Sequence, residues 1–340
     1  MSILYITEQG AELKKKDKVL LVEKNGQLIQ SIHAFKLDQI VIMGMINISP
    51  HTIAFLLEQG IDTVFMSVKG KYRGRLVSQF GKNIVLRQIQ FRKLDDGQFV
   101  LNLAKAFVEG KLKNYRTVLR RYNRELNNIE IEKSLHQIRN LIEKIPHADN
   151  TDTVRGYEGK GSESYFRSFK HLLKSGEFTF DERNRRPPKD PVNAMLSFGY
   201  TLLVNIVQTQ VNITGLDPYL GSLHTVDYGR PSLVLDLMEE FRPLIVDLLV
   251  LRLINKGIIK LRDFHFADEE DLQDDDVYPV RLTHEGIKKF IINYEKQLDT
   301  VVVYPGNGHK LTYRQIILEQ ARKLVRHLKE EEVYSSFLTR

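Results

Sequence analysis

The hydrophobic pattern of this chain changes period near Arg87, and that change limits what it can fold into. From Met1 to about Arg87, apolar and β-branched residues recur in six short runs: ILYIT, KVLLVE, QLIQSI, QIVIMG, DTVFMSV and RLVSQF. Their period of two is that of strands with one buried face. Asn25-Gly26 falls between two runs as a tight hairpin turn, and Ser49, Pro50 and Gly60 bracket a single helix. Beyond Arg87 the period becomes 3.6. With 340 residues the chain exceeds one comfortable core. The expectation is an α+β protein: a β-sandwich-like domain over residues 1–87, followed by a larger all-α domain over 88–340.

Within the helical half, Leu233 to Leu251 is apolar on every side of the helical wheel, yet it contains Asp236, Glu239, Glu240, Arg242 and Asp247. A carboxylate buried without a partner costs several kcal/mol, so each must meet a cation or a strong donor, or take up a proton. Asp236 and Glu239, three apart, share a helix face. Pro243 has no amide hydrogen for the carbonyl of Glu239, which predicts a kink one turn from that carboxylate. Taken alone, this stretch fits structural ion pairing as well as a functional site.

The formal charge of +7 points to a polyanionic partner, and the absence of cysteine excludes thiol nucleophiles, disulfides and zinc-thiolate centres. No signal peptide opens the sequence and no uncharged apolar run is long enough to span a bilayer, so a cytosolic protein without membrane contact is expected. Lys113, Arg116, Arg120 and Arg121 crowd one predicted helix, with Tyr115 and Tyr122 interleaved seven apart. The run reads either as a solvated face or as a surface that tracks a nucleic-acid backbone. A charged, proline-rich loop from Ser175 to Pro191 adds Arg185 and Arg186, and Asn193 opens the apolar helix that follows. These three join the candidate nucleic-acid contacts, although Asn193 also fits a capping role. Gly156 and Gly159 flank Glu158 inside a helical pattern, which suggests a close approach there.

Glu158, His224 and Glu239 come from three separate segments. Two carboxylates and an imidazole form a hard donor set that suits Mn²⁺ or Mg²⁺. In a basic protein such an ion usually serves phosphodiester chemistry, and Arg242 is placed to steady transition-state charge.

Four ordered blocks, RGYEGKGSESYF, RPPKDPVNAMLSFGYTLL, GLDPYLGSLH and RPSLVLDLMEEFRPLIVD, resemble the CRISPR-associated protein one family, the integrase of CRISPR adaptation. The resemblance implies that Glu158, His224 and Glu239 are metal ligands, with Asp236 either behind them or an alternative ligand and Arg242 the accompanying basic residue. It also implies a homodimer that works with a small ferredoxin-like adaptation partner. On double-stranded DNA, the complex would join prespacer 3′-hydroxyl ends to the CRISPR repeat by transesterification and cleave DNA as a metal-dependent endonuclease. The rival reading is a DNA-binding scaffold of an adaptation complex that has lost catalysis.

Overall fold

The computed structural model describes residues 2–78, 83–184, 187–267, 278–306 and 308–339. The chain separates into two compact units, Met1–Lys82 and Asn83–Arg340.

The first unit holds two four-stranded sheets. One orders β1 (Ile3–Ile6), β5 (Gln39–Met43), β7 (Asp62–Met66) and β8 (Tyr72–Leu76). The other orders β4 (Gln27–His33), β3 (Val19–Lys24), β2 (Glu12–Lys16) and β6 (Asn47–Ile48). The first sheet is mixed: β1, β5 and β7 run parallel, and β8 returns antiparallel. All five residues of the central β5 are buried, as a parallel strand covered on both faces requires. Leu4, Leu13, Leu20, Ile40 and Ile42 from the two sheets join Phe55 and Leu56 of α1 (Pro50–Glu58) in one apolar core. Ser49 caps α1 by accepting from the amide of Thr52 at 3.2 Å. Asn25 and Gly26, at φ 51° and 78°, make the left-handed turn between β3 and β4. β2 and β6 lie outside the six hydrophobic runs, and β8 overlaps the run RLVSQF only at Arg75 and Leu76.

The second unit is mainly helical. Asn83 caps α2 (Ile84–Leu94), and Asp96 caps α3 (Gly97–Leu126), a single helix of 30 residues. The two helices are divided at Asp95-Asp96, where Asp95 ends one and the Asp96 side chain caps the start of the next. α4 (Ile129–Lys144), α5 (Thr151–Phe169) and α6 (Pro191–Thr214) follow. The apolar segment from Leu233 is not one helix: α7 (Ser232–Met238) gives way to a π-helical turn over Arg242–Asp247 and then to α8 (Leu248–Asn255). Pro243 lies in that turn, so the expected interruption is present. α9 (His284–Leu298) and α10 (Tyr313–Leu328) complete the bundle. The expectation of an all-α half needs correction, because two antiparallel pairs interrupt it. These are β9 (Phe264–Phe266) with β10 (Val280–Leu282), and β11 (Val301–Val303) with β12 (Lys310–Thr312). No helix among the described residues is long and apolar enough to cross a membrane.

Candidate metal centre

Asp236 lies in α7 with no solvent exposure and organises the loop ahead of that helix. Its Oδ2 accepts from the amides of Ser222 and Leu223 at 2.6 and 2.9 Å. Its Oδ1 accepts from the amide of His224 at 2.9 Å and lies 2.7 Å from the ring Nδ1. A carboxylate only accepts, so Nδ1 carries a proton and Nε2 is the nitrogen turned toward Glu239. Nε2 stands 3.8 Å from Oε1 of Glu239. With both oxygens engaged, Asp236 is placed behind the histidine rather than beside it as a further ligand.

Glu239 follows α7 directly, at the bend. Its Oε2 is 2.6 Å from Nζ of Lys111, and its Oε1 is 3.2 Å from Nε of Arg242. Burial alone would push this carboxyl up; Arg242, Lys111 and His224 outweigh burial and hold it at about 2. Glu158, on α5, meets the same lysine ammonium and accepts from Ser162 Oγ at 2.8 Å. Burial works against its ionised form too, and Lys111 overrides it, leaving the carboxyl below the usual carboxylate range. Lys111 is 3% exposed on α3, and despite burial the two glutamates raise its pKa further still. The three acidic or imidazole candidates are therefore gathered at one place. Glu158 and Glu239 share an ammonium, and His224 adjoins Glu239.

Among the described residues, no three His, Asp or Glu side chains are spaced to hold a metal ion as they stand. In this cluster the Lys111 ammonium fills the centre, a cation already bound by both carboxylates. The donor chemistry fits a hard divalent ion: two carboxylate groups and an imidazole oriented by Asp236. Arg242 flanks the cluster, its guanidinium carbon 4.8 Å from the ring centre of Tyr200. Tyr200 in turn donates to Oδ1 of Asp247 at 2.6 Å.

Behind the bend, Glu240 is fully buried and accepts from Gln320 Nε2, Tyr334 Oη and the amide of Phe337. Asn114, one turn from Lys111 on α3, donates to the carbonyls of both Glu240 and Phe337 at 2.9 Å. The C-terminal tail, which shows no sequence period, is thus fastened beneath the helix bend that carries Glu239.

Several sequence-based expectations change. Gly156 and Gly159 face open space; the glycine of α5 that permits close approach is Gly161, where a Cβ would lie 2.3 Å from Leu112 Cδ2. Asn193 is a correction: it is fully buried, and its side chain accepts from Arg183 and from the amide of Asn184 while donating to Glu182 O and Asp190 Oδ2. Those bonds hold the preceding loop and leave nothing to offer DNA. Tyr115 is also no surface residue, being 1% exposed and stacked on Tyr165 at 3.7 Å between ring centres. Lys113 pairs with Glu109, Arg116 is half-buried, and Arg120 and Arg121 are exposed. Arg185 and Arg186 lie outside the described residues. Lys111 was missed altogether. Its signal was positional, since it stands three residues after Val108 and four before Tyr115, on the buried face of α3.

The model of the family "CRISPR associated protein Cas1" matches residues 4–296. A Thermus thermophilus protein named CRISPR-associated endonuclease Cas1 3 is 36% identical, over 96% of this chain and 94% of its own length. A Chlorobaculum tepidum protein named CRISPR-associated endonuclease Cas1 1 is 30% identical, over 100% of this chain and 99% of its own. The solved structure of a CAS1 protein from Thermotoga maritima superposes with a TM-score of 0.83 at 26% identity, covering 98% of this chain and 99% of that one. The chain belongs to the Cas1 family.

Proposed function

We propose that this protein is a divalent-metal-dependent DNA endonuclease and integrase of CRISPR adaptation, which joins 3′-hydroxyl ends of a prespacer duplex to the CRISPR repeat by transesterification. The observation that carries the reading is the convergence of Glu158 and Glu239 on one cation beside His224, whose Nδ1 is held by Asp236. The names of the Thermus and Chlorobaculum relatives support the nuclease part.

In this reading Glu158, His224 and Glu239 hold Mn²⁺ or Mg²⁺. When bound, the ion withdraws charge from a phosphoryl oxygen and lowers the pKa of an attacking hydroxyl. The protein's own groups do the rest. Asp236 keeps the imidazole in one tautomer and one orientation. Arg242, tied to Glu239 and braced over Tyr200, supplies fixed positive charge toward the pentacovalent phosphate. Attack by a DNA 3′-hydroxyl on a repeat phosphodiester would form a new P–O bond while the P–O bond to the repeat strand's own 3′-oxygen breaks. The attacking proton passes to solvent and the leaving oxygen takes one up, which gives strand transfer; attack by water in the same way would give cleavage. The net charge of +7 and the exposed Arg120 and Arg121 support double-stranded DNA as substrate. The family resemblance supports a homodimer that assembles with a small ferredoxin-like adaptation partner.

The test is transfer of a labelled duplex into a plasmid bearing a repeat, with Mn²⁺ present and the adaptation partner added. Glu158→Gln, His224→Ala and Glu239→Gln should each lower transfer at least about 100-fold, the scale of losing a metal or its orientation. Undiminished transfer by His224→Ala would overturn the assignment. A protein that binds the duplex but never transfers it would favour the scaffold reading instead.

A further inference from the structure

We propose that Lys111 is a built-in counter-cation that holds the place of the divalent ion and is displaced when the ion binds. The inference rests on reading Glu158, His224 and Glu239 as the ligand set. Lys111 Nζ touches one oxygen of Glu158, on α5, and one of Glu239, after α7, the latter at 2.6 Å. An ion at coordination distance, ~2.0–2.6 Å, from the same two oxygens would fall on the position of the ammonium. Two cations do not share that space, and Arg242 already places a third positive group against Glu239.

The arrangement answers a problem set by burial. Without a cation between them, the buried Glu239 and the partly exposed Glu158 would repel each other, and Glu239 would be poorly solvated. Lys111 neutralises both, so the metal-free protein can fold with its site assembled. The cost falls on metal affinity, because the ion must break two strong ion pairs before gaining its ligands. The side chain can give way: its four-carbon stem is flexible, and its Nζ already lies 5.5 Å from the centre of the Tyr115 ring, a cation–π contact that does not depend on the carboxylates.

A purely structural Lys111 and a displaceable one predict opposite signs. If the lysine merely supports the site, removing it weakens metal binding. If it competes, removing it strengthens binding. Titration of the full-length wild type and Lys111→Met with Mn²⁺, followed by EPR of the free ion, should show the variant binding about tenfold tighter or more. The variant should also melt lower without metal and gain more in Tm on adding Mn²⁺. Equal or weaker Mn²⁺ binding by the variant overturns the proposal.

A measurement on the wild type covers the case in which the variant does not fold. The ¹⁵N–¹H signal of the Lys111 ammonium, slow to exchange in the metal-free protein, should shift or vanish on saturation with Mg²⁺. An unaltered signal overturns displacement. If Mn²⁺ binding by the wild type is insensitive to Glu158→Gln and His224→Ala, the ligand set is wrong and the role of Lys111 falls with it. If binding needs both residues yet Lys111→Met is no tighter, the ligand set stands and only the counter-cation role is lost.

Discussion

Oδ1 of Asp236 accepts from both the backbone amide and the ring Nδ1 of His224, at 2.9 and 2.7 Å. One carboxylate oxygen therefore fixes where the imidazole hangs and which nitrogen faces Glu239. Its other oxygen takes the amides of Ser222 and Leu223, so the loop and the histidine are positioned as one piece. An asparagine has only one accepting oxygen. In Asp236→Asn either His224 or the two amides would face an NH₂ group, donor against donor. Stability should fall by about 1–3 kcal/mol in urea unfolding, and Mn²⁺ affinity and cleavage about 10–100-fold. Mn²⁺ affinity at the wild-type level would mean that His224 does not depend on this hold.

Asp247 gives a pH signature separate from the proposed ligands. Burial pushes its carboxyl from the ordinary 3.8 up to about 6, against the hydrogen bond from Tyr200 and the nearby Lys111 and Arg242 charges. The Tyr165 hydroxyl, buried beside the same carboxyl, also works to lower it. A folded pKa above the unfolded one means that the folded state binds this proton more tightly. The associated stability is full below about pH 4, and it is lost as pH rises through about 6. The shift corresponds to on the order of 3 kcal/mol. Asp247→Asn keeps an acceptor for Tyr200 but cannot titrate. The stability of the variant relative to wild type should therefore climb by that amount between pH 4 and 7 and then level off. A difference that stays constant over this range in urea unfolding would show that Asp247 is ionised in the fold throughout.

The structure shows which parts of the chain announce themselves. Strands such as β5 are readable because Ile40 to Met43, buried in succession, leave a continuous apolar run. β2 is not: of ELKKK only Leu13 is buried, and its lysines conceal the alternation. Glu158, His224 and Glu239 could be named because acids and histidine in apolar or glycine-rich surroundings conflict with their neighbours. Lys111 escaped because it sits in a helix already full of basic residues, where a buried ammonium and a solvated one look alike in one dimension. Tyr115 was misplaced for the same reason, its aromatic ring being read with the basic residues around it instead of with the buried stripe it shares with Val108 and Leu112. The tail fared worst. Tyr334 and Phe337 are 4% and 2% exposed, yet the segment is irregular and makes its bonds to Glu240, Gln320 and Asn114 across long sequence separations that no period records.

Arg120 and Arg121 remain as the testable part of the basic run. Both are exposed near the C-terminal end of α3, whereas Arg116 is half-buried, with a pKa lowered by burial and then by Arg120 and Arg139. Mutual repulsion among these guanidinium groups is relieved when phosphates arrive, and each contact releases counterions from the duplex. Replacing Arg120 and Arg121 together by alanine should weaken binding to any duplex, whatever its sequence. The slope of log K against log salt should also become shallower by about 0.9 per lost contact, hence by up to about 2. Neither arginine touches the carboxylates of the candidate centre in the structure, so Mn²⁺ affinity should stay at the wild-type value. Fluorescence anisotropy of a labelled duplex at several salt concentrations measures both quantities. An unchanged slope with unchanged affinity would return this end of α3 to ordinary solvated surface. An unchanged slope with reduced affinity would point instead to a fold defect, which the melting temperature of the variant would expose.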